Sequence, residues 1–161
     1  MAAISRKAIA VLREEINNAL KDAMRAGDKR RVSTLRLINS ALKYADIEAR
    51  GLGKPALGDD DVFALLQKMI KQRQESIELY EKGGREELAA QEREEIAIIA
   101  AYLPKQMSDE EAKAAIADAI KEVGAHGMRD MGKVMAALKG RHAGRMDFGK
   151  ASGLVKGLLA G

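Results

Sequence analysis

Tyr102-Leu103-Pro104-Lys105-Gln106-Met107-Ser108-Asp109-Glu110-Glu111 is the stretch on which the reading of the fold turns. Leu103 precedes a proline, which pushes its backbone out of the helical region and ends whatever helix precedes it. Four residues after the proline, Ser108 stands at capping-box spacing from Glu111. The serine hydroxyl can accept from the Glu111 amide while the glutamate side chain reaches back to the Ser108 amide. One helical body therefore ends near residue 105 and a second starts near Ser108. The expected domains are residues 1–105 and 106–161.

Upstream, apolar residues recur at three- and four-residue steps, as a helix buried on one face requires. Ile9, Leu12, Ile16, Leu20 and Ala23 make such a stripe on a helix expected over residues 4–25. Gly27 supplies a stop and Asp28 a cap for a second helix reaching about residue 50, with Leu35, Ile38, Leu42 and Ala45 inward. Gly51, Gly53, Pro55 and Gly58 mark a loop. A third helix runs from Asp59 to Gly83-Gly84, and a fourth covers residues 86–102. Downstream, three short helices are expected over residues 109–123, 130–139 and 148–160, with Gly124, Gly127, Gly140 and Gly144 at the turns. Helix-forming residues abound and β-branched and aromatic ones are few, so the expected class is all-α: about four long helices, then a small three-helix domain.

Charge is unevenly spread. Among its 161 residues the chain carries 28 Lys and Arg against 24 Asp and Glu, a net charge of +4. Residues 124–161 hold seven basic and two acidic residues, a balance of +5, and nine of the fifteen glycines. The whole positive excess thus sits at one end, which suggests contact with a polyanion. Lys133, Lys139, Arg141, Arg145 and Lys150 are the candidate nucleic-acid contacts. Lys29, Arg30, Arg31 and Arg36 form a secondary basic cluster at a helix start, where positive charge opposes the helix dipole. Gly149, Gly153 and Gly157 form a side-chain-free stripe on the last helix, which reads first as a surface for close helix packing within the small domain and otherwise as one for close approach of a partner helix or a sugar-phosphate chain. Phe148 is the only ring after Tyr102, which argues for recognition of an RNA backbone rather than base stacking.

Catalytic patterns are not legible. His126 and His142 are the only histidines, both in expected turns and without a partner at motif spacing, so they read as exposed turn residues. Two isolated histidines and no cysteine supply neither a metal set nor a thiol nucleophile. Glu92, Glu94 and Glu95 read as a solvated, ion-paired face, and Gly83-Gly84-Arg85-Glu86 as a helix stop. No cofactor or metal is expected. The absence of cysteine, of a membrane-spanning run and of an N-terminal signal pattern leads to the expectation of a cytoplasmic protein without a membrane partner.

Several runs occur in order that resemble the GatB/YqeY family, and more closely its stand-alone YqeY members. They are Ala26 to Ile38 (AGDKRRVSTLRLI), Leu66 to Ile77 (LQKMIKQRQESI), Tyr80 to Leu88 (YEKGGREEL), Tyr102 to Met107 (YLPKQM) and Asp130 to Met135 (DMGKVM). The resemblance implies an all-helical fold of two parts, the second similar to the tail with which GatB, a subunit of a glutamine-dependent tRNA amidotransferase, helps hold tRNA. It implies tRNA contacts at Lys133, Lys139, Arg141 and Arg145. It also implies, by kinship alone, a carbon–nitrogen ligase activity with glutamine as amido donor, for which no nucleophile or nucleotide loop is found. Arg145-Met146-Asp147-Phe148 departs from the family pattern, and an inward Phe148 would reorient the patch. The expected function is a non-catalytic tRNA-binding or amidotransferase-accessory protein. Its candidate partners are tRNA, a tRNA-dependent amidotransferase or another protein, with a protein-interaction adaptor as the alternative.

Overall fold

A computed structural model describes the backbone of residues 6–161 and the side chains of residues 11–161. The Ile9 side chain of the expected stripe lies outside them. All regular structure among the described residues is helical. The order is α1 (Arg6–Ala26), α2 (Lys29–Gly51), α3 (Asp59–Lys82), α4 (Glu86–Ala100), α5 (Asp109–Val123), a short 3-10 turn (Met128–Asp130), α6 (Met131–His142) and α7 (Phe148–Ala160). The chain divides into two compact units, one reaching to Leu103 and the other covering Pro104–Gly161.

In the N-terminal unit the helix ends follow local chemistry. Gly27 turns the chain with φ +70°, and the Asp28 carboxylate accepts from the Arg31 amide at 3.2 Å to start α2. Asp61 accepts from the Gly58 amide at 2.9 Å at the start of α3. Gly84, at φ +71°, separates α3 from α4 as the helix stop requires. Ile16, Ala23, Leu35, Ile38, Leu42, Val62, Leu66, Met69 and Ile99 form the core, so each helix contributes the face its periodicity marked. Each fully buried Ile or Leu there contributes about 1.5–3 kcal/mol. The fourth helix stops two residues earlier than expected. Past Ala100 the chain tightens into turns in which the Tyr102 amide donates to Ile99 and the Leu103 amide to Ala100.

In the C-terminal unit the capping box forms as read: Ser108 Oγ accepts from the Glu111 amide at 3.1 Å, and Glu111 accepts from the Ser108 amide at 3.5 Å. Gly124 ends α5 in the left-handed region, φ +64°. Ile116, Ala119, Val134, Leu138, Met146, Ala151 and Val155 make the second core. Two expectations change here. Gly140 lies inside α6, which runs on to His142 because the break falls at Gly144, φ +76°. The glycine stripe of α7 is not used for close packing within the unit, since a Cβ at Gly153 or Gly157 would meet nothing within 4 Å. Among the described residues no helix is long and apolar enough to cross a membrane.

Candidate functional site

The basic residues of the C-terminal unit sort into two groups. α6 does not gather its cations. At about 100° per residue, Lys139 and Arg141 leave the helix on opposite flanks, and Lys133 lies between them on the solvent side. Lys133 and Lys139 are exposed. Arg141 forms an exposed ion pair with Glu122 of α5. Lys133 sits close enough to Asp130 to help depress that carboxyl's pKa, although the main cause is the hydrogen bond Asp130 accepts from the His126 amide at 3.0 Å.

Arg145 and Lys150 are brought together. With Lys113, they border a groove of about 470 Å³ that α5, the turn before α7 and the segment after Pro104 enclose. Met107, Ala112, Met146, Ala151 and Leu154 supply its apolar lining, and Asp109 and Asp147 share the rim. The strap 104–107 is tied to the α6–α7 turn. The Met107 amide donates to the Arg145 carbonyl at 2.8 Å, Gln106 donates to the Gly144 carbonyl, and Arg145 Nε donates to the Lys105 carbonyl at 3.0 Å. Asp147 is occupied as the cap of α7, accepting from the Gly149 and Lys150 amides at 2.9 and 3.2 Å. Lys150 Nζ lies 3.1 Å from Asp109, and the Arg145 guanidinium 4.0 Å from Glu111. Phe148 packs against the core rather than outward.

α5 changes the electrostatics that the linear sequence suggests. It brings five carboxylates, Asp109, Glu110, Glu111, Asp118 and Glu122, against the basic segment, and the unit as a whole carries ten basic and seven acidic residues, net +3. His142 differs from the exposed turn residue expected. It is the last residue of α6 and half-buried, its Nδ1 enclosed without a hydrogen-bond partner. Burial pushes its pKa down, and Arg145 and Arg141 push it further the same way.

The secondary basic cluster divides as well. Lys29 and Arg36 face outward and border a groove of about 430 Å³ with Met24, Val32 and Ser33. Arg31 is exposed. Arg30 turns the other way, to Glu94 and Glu95 at 3.3 and 3.6 Å. There it joins Arg73, whose Nε lies 2.9 Å from Glu95 and 4.0 Å from Glu92. Glu92 and Glu95 are thus half-buried between helices rather than on a solvated face. Burial raises the Glu92 pKa, with Glu95 adding to the effect and Arg73 and Arg30 opposing it. Arg93, their neighbour in sequence, pairs instead with Glu81 and Glu86. Sequence reasoning missed Arg73, which meets Glu92 and Glu95 of another helix, and Lys113, which reaches the groove from α5 beside residues distant in sequence.

The fold and these sites define a two-unit, all-helical protein whose charged groups are arranged as ion pairs and grooves. The chain belongs to the YqeY family, described as Yqey-like proteins, which it matches over residues 13–159. An uncharacterized protein of Schizosaccharomyces pombe is 34% identical over 102 residues, covering 63% of this chain and 80% of that one. Altered inheritance of mitochondria protein 41, mitochondrial, from Pyrenophora tritici-repentis is 30% identical over 128 residues, 76% of this chain and 68% of that one. The protein of the same name from Lachancea thermotolerans is 41% identical over 87 residues, but the match spans only 43% of its length. The relatives' names place those proteins in mitochondria, which overturns the expectation of a cytoplasmic protein. Missing cysteines and missing apolar spans do not distinguish one aqueous compartment from another.

Proposed function

We propose that this protein binds the backbone of a folded RNA of the tRNA class through residues 106–161, as an accessory to amide-transfer chemistry performed elsewhere, with residues 1–105 as the supporting bundle. The observation that carries this reading is the convergence of Lys113, Arg145 and Lys150 on one groove. Exposed Lys133 and Lys139 extend the positive surface. The ion pairs at this surface are compatible with it. Exposed pairs are worth only about 0–1 kcal/mol, so a phosphate can replace a carboxylate at little cost. An inward Phe148 favours phosphate and sugar contacts over stacked bases. The choice of tRNA rests on the resemblance to the GatB tail.

The test is a titration of unmodified tRNA across a salt series. Log K is expected to fall linearly with log salt. Lys113→Glu, Arg145→Glu and Lys150→Glu should each reduce the steepness of that slope by about 1. Lys133→Glu with Lys139→Glu should weaken binding less. Affinity untouched by the groove substitutions would remove this site from consideration. Glutaminase activity in the purified protein, abolished by one substitution, would replace the accessory reading with an enzymatic one.

A further inference from the structure

The outer side of α2 carries a pattern that neither core uses. Leu37, Ser40, Tyr44 and Ile47 follow a 3-4-3 spacing, which makes a single seam along a helix. The seam lies on the opposite side of α2 from buried Leu35, Ile38 and Leu42. Three of its four residues are large, apolar and open to solvent: Leu37 is 48% exposed, Tyr44 72% and Ile47 66%. Lys29, Arg36, Lys43 and Arg50 run beside it at seven-residue intervals, about 10 Å apart along the axis. All four are exposed, and among the described residues none forms an ion pair, although Arg50 lies near enough to Asp46 to help lower that carboxyl's pKa. In heptad terms Leu37 and Tyr44 are a positions, Ser40 and Ile47 are d positions, and every cation falls at g. At the seam's N-terminal end, Met24 and Val32 line the groove of about 430 Å³ that Lys29 and Arg36 border.

From this pattern we propose that α2 docks an acidic amphipathic helix of a partner protein, coiled-coil fashion. The partner's apolar row seats on Leu37, Tyr44 and Ile47, and its carboxylates face the g-row cations. Charge complementarity selects this occupant. The carboxylates of such a helix would meet the four g-row cations along one flank of the seam. The cations stand on one side of the apolar row only, whereas a helix lying in a membrane interface places them to either side of its apolar face. Phosphates would gain nothing from Leu37 and Ile47, and a helix with its own apolar row would cover both.

The probe is a synthetic peptide of about four heptads with Leu at a and d and Glu at e and g, whose like charges keep it from pairing with itself. Its binding to the full chain is measured by fluorescence anisotropy beside an isomer with Lys for Glu. The acidic peptide is expected to bind at least about tenfold more tightly. Leu37→Glu with Tyr44→Glu should abolish binding. Lys29→Glu, Arg36→Glu and Lys43→Glu together should invert the preference towards the basic isomer. All these positions are exposed, and unchanged helicity and thermal midpoint verify folding of each variant. Equal binding of both peptides, or no binding, overturns the proposal. So does displacement of the acidic peptide by tRNA, by phosphatidylglycerol vesicles or by self-association through the same face. These substitutions lie in α2 and leave the C-terminal groove intact, so failure here is separable from failure of the RNA reading.

Discussion

Among the described residues the desolvated ion pairs lie in the N-terminal unit, beside exposed ones such as Arg85–Glu87, whereas those of the C-terminal unit are solvated. In the N-terminal unit, Arg73 and Glu95 are 13% and 17% exposed at 2.9 Å, and Arg73 Nη1 also donates to the Met69 carbonyl. Arg13 clasps Asp46 with two bonds of 2.9 Å, and that contact holds the Asp46 carboxyl below the usual range. In the C-terminal unit, Lys150 and Asp109 are 64% and 78% exposed. Arg141 and Glu122 are 45% and 54% exposed. Desolvated pairs lock helix to helix, because removing one partner strands the other. Solvated pairs hold little and exchange readily. The difference separates charge used for architecture from charge free for a ligand.

Breaking the first kind should have the largest effect. Arg73→Ala leaves Glu92 and Glu95 half-buried without their nearest cation, and should lower unfolding stability by about 2–3 kcal/mol, read from urea denaturation. The next effect is one of pH and concerns the one titratable group of the C-terminal unit with an enclosed, unpartnered nitrogen. His142 has a lowered pKa in the fold, so the unfolded chain takes up the proton first as pH falls. The stability is full above the ordinary imidazole range and is lost progressively between that range and the folded value. Protection factors of the α6 and α7 amides, exchange rates corrected for the intrinsic rate at each pH, should fall from pH 7 to pH 5, and His142→Gln should flatten that dependence. An equal fall in the variant would assign it to other groups. The smallest effect is expected at Lys150→Ala, which should leave the thermal midpoint unchanged while weakening tRNA binding. A lowered midpoint with unchanged binding would place this pair with the architectural ones and erase the contrast.

Much of the fold was legible because its determinants are local. Asp28, Ser108 and Gly124 act within a turn or two of their own positions, and the apolar stripes of α1 to α3 need only the helical period. Gly140 misled for the complementary reason. A glycine is tolerated in a helix wherever the next break lies further on, here at Gly144. The candidate site was legible only in composition. The +5 segment is real in the sequence, but its cations part company on α6 and meet carboxylates of α5 that lie 19 to 41 residues away. The seven-residue row on α2 was present in the sequence, and its meaning depended on knowing which face of that helix the core had taken.

By itself, then, the sequence determined the helical class, the caps and most of the buried faces, all set by steric and hydrogen-bonding rules acting over a few residues. Only the tertiary structure decided which charges are neutralised, which converge on a groove and which stay open along α2. Coulomb energy depends on distance and solvent exposure, and both belong to the packed molecule rather than to the order of its residues.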